Sequence, residues 1–336
     1  MHELLSVEEV ARRIAAGKAL VLAGDEEALA QLPRGTWIGG TTPYFMTERG
    51  GLHSRDLVFA TEAGAADQAR IVVHDGASLS QLYTEIPDHG YGVVLMPLFS
   101  EAELAFAVGA PSFDGFASRP LVGWVAGTDL TDPRHPEPKV FDGTTGRALT
   151  QEAVAMHVTL PASAGVEIGI VNIFTPSDGD VLSFPEAGFS AREVVVGGKR
   201  RSFVDYLAET GLDVRRPLVG EYCGAGLNVG IREVDAAGGV VQLWAPVFPG
   251  ISYRHAAPVG DYVSAFLARA PRQVLAAGSA GLAFCCNCYS NYSHGELEGK
   301  RTGPFVGPIV FGEIAYQLCN ETLVYLSRSE LPPQAP

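Results

Sequence analysis

The chain has 336 residues, of which 47% are hydrophobic and 18% are charged. This hydrophobic content supports one large core or two ordinary ones, and it excludes global disorder, which requires low hydrophobicity. The formal net charge is −14, which argues against nucleic acids and anionic membranes as partners, because both attract basic surfaces. Small molecules or proteins are therefore the expected partners.

The N-terminal third, residues 1–127, alternates predicted strands and helices. Ser6 with Glu9, and Ser100 with Glu103, have the spacing of a capping box, which predicts a helix start at each pair. Helices are predicted at 7–16, 26–32, 78–86 and 101–108. Strands are predicted at 19–23, 57–61, 69–74, 92–99 and 121–126. This alternation favours an α/β arrangement.

Residues 128–150 are rich in Asp, Pro, His, Gly and Thr, which predicts a linker or crossover. The pattern then changes over 151–328, where closely spaced strands favour a mostly antiparallel, α+β half. Those strands are predicted at 154–160, 166–174, 181–184, 192–196, 218–222, 226–234 and 240–247. Two helices are predicted in this half, at 203–209 and 262–269. The predicted fold is α/β, with two packed mixed or antiparallel sheets, covering helices and a flexible tail at 329–336.

The cysteines are unevenly distributed, and Cys285, Cys286 and Cys288 lie within four positions at the end of an apolar run. An odd total of five, crowded in this way, does not indicate a disulfide framework. The N-terminal segment lacks the features of a signal peptide, and no apolar run is long enough to span a bilayer. A reducing, bacterial-type cytoplasm is the expected location.

Several roles are open to the three thiols. On a strand, Cys286 and Cys288 share one face while Cys285 faces the other way. If the chain turns instead, the spacing of Cys285 and Cys288 suits a metal knuckle, with His294 as a further candidate ligand. The alternatives are buried structural thiols, soft contacts to a ligand, redox-active thiols, a metal site or a nucleophile.

A second candidate feature is Glu313, which interrupts the apolar run 307–315. If that run is a buried strand, the carboxyl group needs a partner or a raised pKa, and it then becomes a candidate acid/base or ligand anchor. The alternative is a strand-end position in water, paired with Lys300 or Arg301.

The Gly-Gly-Thr-Thr-Pro-Tyr turn at 39–44 is the third candidate feature. Its glycines allow a ligand to approach the backbone closely, and the hydroxyl groups of Thr41 and Thr42 add hydrogen-bond donors. Ordinary turn formation explains the same residues. The eight histidines form no helical His-x-x-x-His pair, but haem needs only one axial ligand, so their spacing leaves haem open.

Several motifs in the second half resemble those of FIST sensory proteins, in the order of that family. The likeness spans 190–328 and also includes a short turn in the first half. The matching segments are 195–212, 217–222, 248–254, 282–288, 307–315 with Gly312-Glu313-Ile314, 320–323 and, in the first half, 38–42. The resemblance implies a bacterial domain that binds a small ligand and feeds a signalling output, and some relatives resemble haem-binding gas sensors. No output module is fused here, which implies a separate signalling partner.

The hypothesis from the sequence is small-ligand sensing in a pocket between the two halves. The residues expected to line the pocket are Thr41, Thr42, Tyr44, Cys286, Cys288, Asn291 and Glu313. An acidic site favours an amine-bearing or amino-acid-like ligand. Three alternatives stay open: an enzyme that uses a Cys/Glu site for thiol or redox chemistry, a sensor that binds haem or a metal, and a plain interaction module.

Overall fold

The computed structural model describes residues 2–134, 136–222 and 225–330. Strand accounts for 43% of the chain and helix for 19%, which confirms the predicted mixed α/β class with few helices. Among the described residues, no helix is long and apolar enough to cross a membrane. His135, Cys223 and most of the predicted tail lie outside the described residues.

The first third contains the predicted strands and three of the four predicted helices, and it adds strands at His2–Ser6, Trp37–Thr41, Tyr44–Thr47 and Gly50–His53, which were not predicted. Its strands are β1 (His2–Ser6), β2 (Lys18–Gly24), β3 (Trp37–Thr41), β4 (Tyr44–Thr47), β5 (Gly50–His53), β6 (Leu57–Ala65), β7 (Ala69–His74), β8 (Gly90–Pro97) and β9 (Leu121–Ala126). Its helices are α1 (Val7–Ala15), α2 (Glu26–Leu29) and α3 (Glu101–Gly109), with 3-10 turns at Ala66–Gln68, Ser78–Gln81 and Ala110–Ser112. The Ser6 and Ser100 hydroxyl groups cap α1 and α3, as predicted.

The helix predicted at 78–86 is wrong, because only the 3-10 turn Ser78–Gln81 forms there. The Asp75 carboxylate accepts hydrogen bonds from the backbone amides of Ala77 and Ser78, at 3.2 and 2.8 Å, and from the Ser78 hydroxyl group at 2.7 Å. Such local side-chain bonds offer the backbone an alternative to the helix. The segment that follows β7 is therefore a series of tight turns.

The remaining elements are strand-rich. The strands are β10 (Val140–Asp142), β11 (Arg147–Leu149), β12 (Ala153–Thr159), β13 (Ala164–Val171), β14 (Leu182–Ser183), β15 (Gly188–Ala191), β16 (Glu193–Val196), β17 (Lys199–Ser202), β18 (Leu218–Tyr222), β19 (Ala225–Val229), β20 (Ile231–Asp235), β21 (Val240–Val247), β22 (Tyr253–His255), β23 (Leu282–Cys288), β24 (Gly307–Val310), β25 (Glu313–Ala315), β26 (Gln317–Cys319) and β27 (Leu323–Glu330). The helices are α4 (Phe203–Thr210), α5 (Tyr262–Arg269), α6 (Arg272–Ala277) and α7 (Tyr289–His294), with a 3-10 turn at Ser279–Gly281.

Two predicted boundaries need correction. The predicted linker 128–150 contains the hairpin β10–β11, which pairs with β3 through Val140 opposite Gly40. The predicted tail begins too early, because β27 continues to Glu330. Both errors arise because the backbone of a neighbouring strand supplies the hydrogen bonds that order these polar segments.

The strands form five sheets in the described part of the chain. Their strand orders are β1-β6-β2-β3-β10-β11 (sheet I), β26-β25-β9-β8-β12-β7 (sheet II), β13-β27-β23-β24-β4-β5 (sheet III), β17-β16-β14-β22-β18-β19 (sheet IV) and β15-β21-β20 (sheet V). Sheets I, II and III each contain one parallel pair, whereas sheets IV and V are wholly antiparallel. The mixed and antiparallel sheets agree with the predicted class.

Sheets II and III combine strands from both predicted halves of the chain. In sheet II, β25 pairs with β9, and in sheet III, β24 pairs with β4. The main core also draws on both, since the rings of Trp124 and Phe284 stack with their centroids 5.8 Å apart. The division into two halves stays a prediction, but their strands interleave in two sheets.

Gly123 in β9 tests how closely these strands pack. A Cβ atom at this position would lie 1.8 Å from the backbone oxygen of Val94 in β8, so alanine requires the strands to move apart. We expect Gly123→Ala to lower the free energy of unfolding by about 1–3 kcal/mol or more, measured by urea denaturation. The matched control is Gly76→Ala, where no atom lies within 4 Å of the new Cβ. Equal unfolding midpoints for the two variants would contradict this packing.

Candidate functional site

The predicted Gly-Thr turn lies at the corner between β3 and β4. The Thr42 hydroxyl group donates to the backbone oxygen of Ile309 at 2.6 Å and accepts a bond from the Tyr44 amide at 3.3 Å. The Thr41 hydroxyl group accepts a bond from the Lys139 amide at 3.0 Å. Both hydroxyl groups are buried, and they fasten the corner to neighbouring backbone.

Beside Thr41 and Thr42 lies a small charged pocket of about 120 Å³. The Arg55 guanidinium in its wall bonds to the carboxylates of Asp25 and Asp132, at 2.9 and 3.1 Å. Because these charged groups are already paired with one another and the volume is small, this pocket is a poor candidate for an organic ligand.

The thiols follow the predicted strand alternation, because β23 stays extended through Cys288. Cys286 and Cys288 both lie within the electrostatic influence of Glu313, whereas Cys285 packs into a different core cluster from Cys286. Burial, followed by the charge of Glu313, raises the pKa of Cys286 and Cys288 well above the usual value for a thiol. Protonated, buried thiols are poor nucleophiles and poor metal ligands.

Glu313 is fully buried, so it does not occupy the solvent-exposed strand end that was the alternative prediction. One carboxyl oxygen accepts hydrogen bonds from the amide and hydroxyl group of Thr322, at 2.9 and 2.8 Å. Burial outweighs these bonds and raises the pKa of Glu313 to about 8. Burial, followed by the charge of Glu313, also raises the pKa of Glu321 well above its usual value. The Glu313 carboxyl group is therefore held as a neutral acid near pH 7.

Asn291 completes this interior group from the first turns of α7. Its side-chain amide donates to the side-chain oxygen of Asn287 at 3.1 Å, and its exposed fraction is 0%. Cys286, Cys288 and Glu313 are likewise 0–2% exposed. Among the residues that the structure describes, these four do not line the small pocket beside Thr41. They also do not line the separate cleft that contains Tyr44. The expectation that all seven predicted residues line one pocket is therefore corrected, because the strand that carries the thiols lies inside sheet III.

Tyr44 lies in a different cleft, of about 680 Å³. It begins β4 and lies directly opposite His53, the last residue of β5. Opposed residues of antiparallel strands extend their side chains on the same face. The two ring centroids are accordingly 5.0 Å apart.

The Asp129 carboxylate joins these two side chains. One oxygen accepts a bond from the Tyr44 hydroxyl group at 3.2 Å, and the other lies 3.1 Å from Nε2 of His53. Burial acts to raise the pKa of Asp129, but the bonds from Thr131, His53 and Tyr44 together lower it. Asp129 is therefore an anion at neutral pH, whereas burial and the charges of Tyr289 and Asp129 raise the pKa of Tyr44 and keep it protonated.

Two tyrosines of α7 form the opposite wall of the cleft. Tyr289 and Tyr292 are three residues apart, so they share one helix face. Their ring centroids lie 4.9 and 5.7 Å from that of Tyr44, and Tyr289 also stacks on Phe311 at 5.0 Å. The buried Tyr292 hydroxyl oxygen has no hydrogen-bond partner among the described residues. The wall is therefore rich in π-electron surface and offers one free polar group.

The rim of the cleft is formed by the segment after α7. Glu296, Glu298 and Lys300 line it, and all three are exposed. Together with Asp129, the two glutamates give the cleft three carboxylates, whereas Lys300 gives it one ammonium group. Glu296 also has a backbone φ of 49°, an uncommon conformation for a residue other than glycine. A net negative charge above aromatic rings favours a cationic guest.

Of the residues in this cleft, only Tyr44 was predicted from the sequence. Two signals were available in the sequence. Asp129 follows the end of the buried strand β9, and Tyr289 and Tyr292, which have helical spacing, follow the end of the buried strand β23. Neither signal shows that the two strand ends meet.

The predicted metal ligands are not brought together. Cys285, Cys288 and His294 form no group of three donor atoms within 4.8 Å of one another in the described chain. His294 lines a separate cleft of about 420 Å³ with Arg215 and Arg216, away from the core of thiols. A knuckle would need a turn at Cys285–Cys288, and the strand is straight there.

Comparison with known proteins places the chain in a family. Residues 5–329 match DUF6976, which is described as a family of unknown function. The chain belongs to the DUF6976 family. The match runs through both predicted halves and the segment between them. No curated protein and no solved structure matches the chain, so the resemblance to FIST proteins stays a prediction.

The burial of the thiols gives a direct prediction. We expect Cys285, Cys286 and Cys288 of the native protein to react with iodoacetamide at pH 8 about 100-fold or more slowly than in urea, because the thiolate is the reacting form. Peptide mass spectrometry would resolve the rate at each position. Rapid labelling of Cys286 or Cys288 in the native protein would contradict their burial and restore a redox or nucleophilic role.

The raised pKa of Glu313 predicts a pH dependence of stability. Between about pH 4.5 and pH 8 the folded protein holds this proton and the unfolded chain does not, so the group lowers stability by about 1.4 kcal/mol per pH unit as pH rises. Glu313→Gln removes this contribution. The free energy of unfolding of the variant should therefore rise relative to that of the wild type as the pH increases across that range. Urea unfolding at several pH values measures it, with the exposed Glu137→Gln as control. Parallel profiles for wild type and Glu313→Gln would contradict the assignment.

Proposed function

We propose that this protein binds a small organic cation in the cleft of Tyr44, between the first third of the chain and the segment that follows β23. The observation that carries the proposal is the ionised Asp129 carboxylate beneath tyrosine rings from both sides. The cleft volume of about 680 Å³ suits a metabolite-sized ligand.

The chemistry of the cleft favours an ammonium group in two ways. Within the described part of the chain, His53 is the one partner of Oδ2 of Asp129, so this oxygen can accept a further bond from a ligand N–H group. The faces of Tyr44, Tyr289 and Tyr292 attract a cation by about 0.5–2 kcal/mol each when it lies above the ring. Glu296 and Glu298 raise the local concentration of cations at the entrance.

The role that we propose for this binding is sensory, with the output passed to a separate protein in a bacterial cytoplasm. Two observations support this: the motifs shared with FIST sensory proteins, and the free thiols at Cys285, Cys286, Cys288 and Cys319, which are typical of a reducing compartment. The DUF6976 family has no assigned function that speaks for or against it.

The thiol-dependent enzyme that the sequence left open has less support. Nucleophilic or redox chemistry requires an accessible thiolate, and burial raises the pKa of Cys286 and Cys288 well above the usual value. The cleft of Tyr44, by contrast, is open to solvent and carries an ionised group. An absorption spectrum of the purified protein tests the haem alternative independently.

Calorimetric titration tests the proposal. The probes are choline, putrescine and lysine, with 3,3-dimethylbutan-1-ol as the uncharged counterpart of choline. We expect at least one ammonium compound to bind and the alcohol not to bind. Asp129→Asn should weaken the binding of putrescine or lysine by about 10- to 100-fold, because a hydrogen bond to a charged group contributes about 1.5–3 kcal/mol. It should also weaken the binding of choline, whose quaternary ammonium has no N–H group, because the opposite charge is lost.

The matched control is Asp114→Asn, which changes an exposed carboxylate outside the cleft. It should bind as the wild type does. Absence of binding by all three ammonium compounds at millimolar concentration, or equal affinity in Asp129→Asn and wild type, would overturn the proposal.

A further inference from the structure

A second cluster of titratable groups lies on sheet II, away from the cleft. In the antiparallel pair β7–β12, His157 lies opposite Arg70, and His74 follows Arg70 by four residues. Even spacing places Arg70, His74 and His157 on one face of the sheet. The turns after β7 bring Glu85 to the same place, and one donor atom from each of His74, Glu85 and His157 lies within 4.8 Å of the other two.

The hydrogen bonds of His74 leave one ring nitrogen open. Its Nδ1 lies 3.2 Å from the backbone oxygen of Ser78, which only accepts, so Nδ1 carries the hydrogen. Nε2 then has a lone pair, is buried, and has no hydrogen-bond partner in the described chain. It lies 3.8 Å from Oε2 of Glu85. A backbone oxygen that fixes the tautomer in this way is typical of metal-binding histidines.

His157 presents a lone pair to the same point. Its Nδ1 lies 3.2 Å from Nη2 of Arg70, which only donates, so Nδ1 is the acceptor. Burial, followed by the charge of Arg70, lowers the pKa of His157 to about 4, and burial lowers the pKa of His74. An imidazole with a free lone pair is the form that binds metals, and the hydrogen bonds of both rings leave one lone pair directed to this cluster.

Arg70 shows that a cation is favourable at this point. Its Nη2 lies 3.1 Å from Oε2 of Glu85 as well as 3.2 Å from Nδ1 of His157, so a positive group bridges two of the three donors. The side chain of Arg70 is 58% exposed, and it can therefore withdraw into solvent. A purely structural role for the cluster leaves the buried Nε2 of His74 without a partner.

We propose that His74, Glu85 and His157 bind a divalent transition-metal ion such as Zn²⁺, which displaces the Arg70 guanidinium. Two imidazoles and one carboxylate suit Zn²⁺ and similar ions. Donors around one tetrahedral Zn²⁺ lie about 3.3 Å apart, so binding requires the cluster to close by roughly 1 Å. Three protein ligands leave a coordination position open toward Arg70 and the solvent.

Metal binding is tested on full-length protein without a histidine tag, treated with chelator and titrated at pH 7 with Zn²⁺ and, for spectroscopy, Co²⁺. We expect one ion per chain and a tetrahedral Co²⁺ spectrum without a sulfur charge-transfer band. Loss of a residue that only supports a metal ligand weakens metal binding by about 10- to 100-fold. Glu85 and His157 are proposed as direct ligands, so Glu85→Gln and His157→Asn should each weaken Zn²⁺ binding by about 10-fold or more. Arg70→Met should strengthen it, because the competing cation is gone.

One control separates this site from the other histidines of the chain. His89→Asn changes an exposed histidine on the neighbouring segment and should bind Zn²⁺ as the wild type does. Glu85 and Arg70 are partly exposed, so their variants keep the test valid if a histidine variant does not fold. No Zn²⁺ binding in both wild type and Arg70→Met, unchanged affinity in Glu85→Gln, or a sulfur charge-transfer band would overturn the proposal.

Discussion

The antiparallel pairing of β24 with β4 determines where the chemistry of this protein lies. Gly307 of β24 lies opposite Met46, and a Cβ atom on Gly307 would lie 2.1 Å from the backbone oxygen of Cys285. Glycine is therefore required for β24 to fit between β4 and β23. Because β4 starts at Tyr44 and α7 starts directly after β23, this contact brings the rings of Tyr44 and Tyr289 together.

The same pairing explains why the thiols became part of the core. The strand β23 lies between β27 and β24 in sheet III, and the alternate faces of β23 join different hydrophobic clusters. A central strand covered on both faces has no solvent-facing side on which Cys286 or Cys288 could act. Glu313 enters this interior from β25, which leaves it as a neutral acid with Thr322 as its partner. The candidate binding residues lie instead just after the strand ends, as Asp129 and Tyr289 do.

Local patterns in the sequence predicted a substantial part of the fold. Capping residues located the starts of α1 and α3, and strand alternation predicted that Cys286 and Cys288 share a face. The apolar residues around Glu313 made burial one of two open alternatives, and only the structure decided for it. The segment 78–86 was misassigned because side-chain bonds from Asp75 compete with a helix there. The short helix α7 was missed because it has only six residues and no capping side chain, and the spacing of Tyr289 and Tyr292 alone is a weak signal.

The sequence by itself determined the mixed α/β class, many of the strands and the alternation that places Cys286 and Cys288 on one face. These features depend on residues only a few positions apart, whose backbone geometry constrains one another directly. The tertiary structure alone decided that Tyr44, Asp129 and Tyr292 share a cleft and that His74 and His157 share a sheet face. Those contacts join residues far apart in the chain, and many alternative strand pairings satisfy the same local patterns. Only the packing of all the strands at once selects among them.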